Sequence, residues 1–239
     1  MYFRKNRAFT LIELSIVMVI IGLLIASISG ASNLIRNAKL SNIIKEISSL
    51  KAAIDVFEVK YGELPGDFSG ANSLWSDCAN GGGNGELTAA EGKDAVAHMY
   101  YADILPKSPV KSATKASMTN VCTEGQYYLS DTLRIAYYLD GLANVLSQDI
   151  PNDAFGTTEL KRSFIVLAGI DTSANTTDNQ SALETKDAHH IDRKMDDGIP
   201  NKGYVAGHQN GNQSTCLASA TTYDLDVEGK ICTLTIRFR

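Results

Sequence analysis

Residues 9–28 read FTLIELSIVMVIIGLLIASI, an apolar run broken only by small hydroxyl residues and one acid, Glu13. A helix of that length, at about 1.5 Å per residue, spans about 30 Å, the hydrocarbon thickness of a bilayer. The eight residues ahead of it, MYFRKNRA, carry Arg4, Lys5 and Arg7 and no acid, and the next cation is Arg36. Cations flanking one side of a span are retained in the cytoplasm, so the pattern expects a single pass with a cytoplasmic N-terminus. Lys39 and Lys45 weaken that asymmetry without reversing it.

Three readings fit this segment. The first is a secretory signal peptide, with Ser29-Gly30-Ala31 as a small-x-small cleavage site, and the second is a plain signal anchor. The run exceeds the roughly 7–15 apolar residues of a signal peptide. An isolated carboxylate in an apolar span costs about 2–3 kcal/mol or more, and neither reading gives Glu13 a task. The third reading does. Arg7-Ala8-Phe9-Thr10-Leu11-Ile12-Glu13-Leu14 resembles the cleavage and methylation motif of type IV pilins and of the pseudopilins of type II secretion. The resemblance implies that a prepilin peptidase, also the N-methyltransferase, cuts between Ala8 and Phe9 and methylates the new terminus. It implies that the apolar run stays in the mature protein and that Glu13, fifth after the cut, is the assembly residue. The residue before the cut is usually glycine in that family, whereas here it is Ala8.

The chain has 239 residues, 44% of them hydrophobic, and its 22 basic and 27 acidic residues give a net charge of −5. That length holds one domain with an appendage, and the composition excludes a disordered or collagen-like chain. The acidic balance argues against the basic surface of a nucleic-acid binder.

Past Gly30 the apolar pattern becomes one-sided. Leu40, Ile43, Ile47, Leu50, Ile54 and Phe57 recur at steps of three and four, with Lys39, Lys45, Glu46, Lys51, Asp55 and Glu58 between them. This is the stripe of a helix that packs on one face. Tyr61-Gly62 and then Leu64-Pro65 end it, because glycine accepts a left-handed cap and proline cannot continue a helix. Ser29 and Gly30 loosen the helix where its two halves meet.

Residues 62–239 form the expected globular domain. The stretch from Glu63 to Phe68 leads to Gly81-Gly82-Gly83-Asn84-Gly85, a turn-rich connection without the Gly-Lys-Ser/Thr of a phosphate loop. Residues 94–105 are expected as a short helix stopped by Pro106, and residues 132–147 as a second one. Residues 164–170, FIVLAGI, have the length of a buried strand. Tyr223, Leu225 and Val227 alternate, Glu228-Gly229 turns, and Cys232, Leu234, Ile236 and Phe238 alternate again, which predicts a hairpin with one buried face. Residues 171–181 are a polar loop. The expected fold class is α+β: a long N-terminal helix, 9–61, packed on a mostly antiparallel sheet, with 9–28 transmembrane and 1–8 a leader.

Cys78, Cys122, Cys216 and Cys232 make an even set on the exported side, without a C-x-x-C metal or redox spacing. Three pairings are open, as is a set of free thiols. We favour Cys78–Cys122 with Cys216–Cys232, in an oxidising compartment. His189 and His190 are adjacent and diverge on any regular element, and no hydrolase or zinc motif is present, so no catalytic residue is assigned. Asp192, Asp196 and Asp197 cluster near a helix C-terminus, where the dipole opposes negative charge. Arg193 and Lys194 could compensate them, and so could a structural calcium ion, although the spacing is not that of an EF-hand. Acidic stretches of this kind recur among pilin-like proteins, and some pseudopilins carry calcium on a C-terminal loop.

The resemblance therefore implies a non-enzymatic structural subunit, a minor or specialised one, of a type IV pilus or a type II secretion pseudopilus. It would be stored in the bacterial inner membrane with its globular domain periplasmic. Its partners would be the peptidase, membrane lipid, other pilin or pseudopilin subunits, and an inner-membrane assembly platform with its ATPase. The alternative is a membrane-anchored periplasmic binding domain that never polymerises.

Overall fold

A computed structural model describes residues 9–110, 120–125, 127–130, 132, 135–141, 163–169, 183–209 and 216–238. The leader 1–8 and the polar loop 171–181 lie outside the described residues. The chain divides into two units, Met1–Lys39 and Leu40–Arg239, and helix α1 (Leu11–Tyr61) supplies residues to both.

In the first unit every side chain from Phe9 to Ile25 is exposed, with Leu11 at 88% and Leu23 at 65%. A helix apolar on all sides must find its burial outside its own chain. Among the described residues no helix is long and apolar enough to cross a membrane. The apolar stretch with described side chains, Leu11–Ile25, is about 22 Å long, short of the roughly 30 Å of hydrocarbon. Residues 26–30, which include the end of the expected 9–28 span, continue α1 without described side chains.

In the second unit the stripe does what its spacing predicts. Leu40, Ile43, Ile47, Leu50, Ile54 and Phe57 are buried to 2% exposure or less, while Lys45 and Asp55 stay in solvent. Gly62, at φ 80°, closes the helix by donating its N–H to the Glu58 carbonyl at 2.7 Å. The strands are β1 (Tyr128–Leu129), β2 (Ile135–Gly141), β3 (Ser163–Gly169), β4 (Leu183–Glu184), β5 (Val205–Gln209), β6 (Leu217–Ser219), β7 (Thr222–Tyr223) and β8 (Lys230–Arg237). The main sheet runs β1-β2-β3-β8-β4, β5 also pairs with β8, and every pairing is antiparallel. Ile135, Tyr137, Leu139, Ile165, Leu167, Leu234 and Ile236 alternate onto one face and share a single core with the stripe of α1.

Three expectations change. The helix placed at 132–147 is instead strand β2 over 135–141, and 142–147 fall outside the described residues. Ile135, Tyr137 and Leu139 face the core at period two, and Ala136 is buried on the opposite side, so the run has two apolar faces rather than a helical stripe. The terminal hairpin is absent as drawn. Tyr223 pairs with β6 through β7, Leu225 is 39% exposed, and β8 is flanked by β3 and, further along, β4 on one edge and by β5 on the other. Because Thr233 and Thr235 are buried too, β8 is a central strand with both faces covered.

Among the described residues the remaining helices are α2 (Ala71–Leu74), α3 (Ala89–Tyr101), α4 (Val121–Glu124) and α5 (Thr185–Met195). Helix α3 replaces the expected 94–105. It starts earlier because Thr88 and Glu91 form a capping box, the Thr88 hydroxyl accepting from Glu91 N–H and the Glu91 carboxylate from Thr88 N–H. The helix packs on β2 so closely that a Cβ at Gly92 would strike the Leu139 carbonyl.

Candidate functional site

The N-terminal motif acquires geometry at Thr10 and Glu13. Glu13 Oε2 accepts from both the N–H and the hydroxyl of Thr10 at 2.9 Å, and Glu13 N–H donates to the Thr10 hydroxyl at 3.3 Å. This is a capping box at the start of α1, which satisfies donors that no helix can satisfy itself. In the single chain Glu13 is thus not an isolated carboxylate. Its Thr-x-x-Glu spacing, legible in Thr10-Leu11-Ile12-Glu13, was the missed signal. Phe9 is 86% exposed, and Ala8 lies outside the described residues.

The acidic cluster is assembled by the end of α5 and the turn after it. One carboxylate oxygen from each of Asp192, Asp196 and Asp197 lies within 4.8 Å of the others. Asp192 is buried and accepts from the Tyr223 hydroxyl at 2.8 Å and from Gly198 N–H at 3.2 Å. Asp196 Oδ2 accepts from Tyr204 and Val205 N–H at 2.5 and 3.1 Å, and Asp197 Oδ1 from Ile199 N–H at 2.8 Å. Burial pushes the Asp192 carboxyl up to about 6, against the Tyr223 and Gly198 donors that pull it down. Backbone N–H groups and one tyrosine thus compensate the acids, while Arg193 and Lys194 are exposed.

The cysteines pair as Cys78–Cys122 and Cys216–Cys232, with Cα separations of 5.0 and 5.1 Å, ordinary for disulfides. The second bridge ties the segment before β6 to the central strand β8. The first joins the stretch after α2 to α4, beside His98 of α3. The four histidines do not converge on one site: His98 is buried on α3, His208 shares a 3.0 Å contact with Thr235, and His189, next to His190 on α5, lies 5.4 Å from the Tyr223 ring.

The glycine loop 81–85 has a structural anchor that the sequence reading missed. Asp67 is fully buried, and its carboxylate accepts from Asn84 and Gly85 N–H at 3.2 and 2.6 Å. Its carbonyl takes Gly83 N–H at 2.9 Å, and Glu91 takes Gly82 N–H at 2.8 Å. The loop's N–H groups therefore point at carboxylates and backbone carbonyls of the protein, Asp67 and Phe68 of the Glu63–Phe68 stretch among them.

No curated protein and no solved structure matches the chain. One family profile, the prokaryotic N-terminal methylation motif, matches residues 3–29. It covers the basic leader, the Ala8-Phe9 junction, Glu13 and the apolar run. The chain thus carries, over residues 3–29, the signature of type IV pilin and pseudopilin precursors.

Proposed function

We propose that this chain is a non-enzymatic structural subunit, minor or specialised, of a type IV pilus or a type II secretion pseudopilus. The observation that carries the reading is the methylation motif with Glu13 in fifth place after Phe9. A prepilin peptidase/N-methyltransferase removes residues 1–8 at Ala8-Phe9, taking the formal charge from −5 to −8 and leaving 231 residues. The subunit is stored in the bacterial inner membrane through residues 9–28, the N-terminus cytoplasmic and the globular unit periplasmic. The exposed apolar surface of Leu11–Ile25 fits burial first in lipid and then among neighbouring subunits.

Cleavage creates a cationic nitrogen at Phe9, and Glu13 lies four residues, about 6 Å, along the helix. Each charge is costly in an apolar bundle, and pairing between staggered subunits relieves both. Thr10 holds the Glu13 carboxylate in the single chain, so assembly exchanges an internal cap for a partner's amino terminus. One such heterologous contact, repeated, builds an open helical filament rather than a closed ring. An inner-membrane platform and its ATPase would extract subunits one by one.

Asp192, Asp196 and Asp197 suit a calcium ion in donor type, since hard cations take carboxylate oxygens. A cation there would offset the burial that disfavours the charged form of Asp192. Calcium should then raise the melting temperature of the chain, and alanine at all three aspartates should abolish the rise.

The deciding experiment is incorporation. Glu13→Ala and Glu13→Val should keep membrane insertion and leader removal but lose co-purification with sheared filaments. Normal incorporation of the alanine variant would overturn the assembly role. N-terminal sequencing should find N-methylated Phe9, whereas a start near Ser32 or an intact Met1 would refute processing of this kind.

A further inference from the structure

His98 has a feature the filament role does not use. The ring is fully buried on α3, with ring centres 5.5 Å from Trp75 and 6.3 Å from Phe57. Gly66 N–H donates to its Nδ1 at 3.0 Å. A ring nitrogen that accepts carries no proton, so the neutral imidazole holds its proton on Nε2. Burial lowers the pKa of His98 to about 4, so the ring is neutral at physiological pH. Nε2 has no hydrogen-bond partner. A buried N–H donor without an acceptor is a rare and costly arrangement. One ring nitrogen of His98 and the sulfurs of Cys78 and Cys122 lie within 4.8 Å of one another.

A disulfide sulfur is a weak acceptor, whereas a thiol and above all a thiolate accept better. We propose that His98 sets the redox equilibrium of Cys78–Cys122 by holding its Nε2–H in reserve for a sulfur of the reduced pair. The bridge is then the redox-responsive one of the two. In the other bridge, Cys232 Sγ already has the Thr185 hydroxyl at 3.5 Å, so that sulfur meets a donor before any reduction. The reductant is a dithiol, either of an oxidoreductase or a small molecule. Its thiolate attacks one sulfur, the Cys78–Cys122 bond breaks, and a mixed disulfide forms. The second thiol then displaces the remaining cysteine. Two electrons and two protons pass to the cysteines, and the dithiol leaves as a disulfide. Cys78 and Cys122 are only 2% and 1% exposed, so attack requires local opening and is slow. His98 acts on the equilibrium rather than on access. Two thiolates and an imidazole are also a zinc-like donor set, but ligation through Nε2 needs the proton on Nδ1, where Gly66 N–H already points.

The test equilibrates the full-length chain, in detergent, with dithiothreitol of graded oxidation state. Alkylation and mass spectrometry then read each bridge separately. His98→Phe should make Cys78–Cys122 about tenfold harder to reduce, about 30 mV for a two-electron couple, and leave Cys216–Cys232 unchanged. His98→Gln keeps an acceptor for Gly66 and a donor for sulfur, and should stay near the wild-type value. An unchanged Cys78–Cys122 equilibrium in His98→Phe, or an equal shift of both bridges, overturns the proposal. If His98→Phe does not fold, nitrogen-15 spectra of the unmodified chain decide. The Nε2–H resonance should move downfield on reduction of Cys78–Cys122, and a stationary resonance overturns the proposal. Zinc retained stoichiometrically by the reduced chain would equally overturn it.

Discussion

Replacing each pair of bridged cysteines by alanine tests how the globular unit is held together. Cys78–Cys122 closes a sequence separation of 44 and Cys216–Cys232 one of 16. In the chain-entropy account a bridge stabilises by restricting the unfolded chain, more for a longer loop. The corresponding costs of removal are about 4 kcal/mol for the first and about 3 kcal/mol for the second, a difference of about 1 kcal/mol. Alanine suits both places, because all four cysteines are buried to 2% exposure or less and a serine would bury an extra hydroxyl. The assay is denaturant unfolding of the full chain in detergent without reductant, comparing midpoint and slope for the two variants. Cys216 and Cys232 also sit in the main core, whereas Cys78 and Cys122 form a small cluster with Ala71 and Ala97. Packing loss therefore works against the entropic order. A larger cost for removing Cys216–Cys232 would show that core packing, not loop closure, dominates. A loss below about 1 kcal/mol for both would refute the entropic argument outright.

Asp67→Ala should cost about 2–4 kcal/mol, since it orphans the N–H groups of Asn84 and Gly85, and hydrogen exchange at 81–85 should rise. Gly92→Ala should lower the melting temperature markedly, because the new methyl meets the backbone carbonyl of Leu139 rather than a side chain that can move. Burial raises the Asp192 carboxyl to about 6, so the fold keeps its proton to a higher pH than the unfolded chain does. Its contribution to stability is fully present below about pH 4 and is lost as pH rises through about 6, so Asp192→Asn should flatten that part of the thermal stability profile.

The family signature and the helical stripe were legible in the sequence because both are local. The methylation motif is a string of contiguous residues, and a stripe at steps of three and four depends only on helix periodicity. Leu40 to Phe57 accordingly lie where their spacing put them. The cysteine pairing was one of three open choices, and only the fold brought Cys78 to Cys122 and Cys216 to Cys232. Strand β2 was misread because a strand covered on both faces loses the alternation that marks a half-buried one. Likewise, the partners of β8 come from β3, β4 and β5, which lie far away in the chain, and no turn signal next to Gly229 could announce them. The acid at 192 shows the same division. Its place near a helix end was readable, but Tyr223, which donates to it from 31 residues away, is set by tertiary packing. Local spacing determines helix faces, caps and short motifs, whereas the environment of a buried group depends on which distant residues the folded chain brings against it.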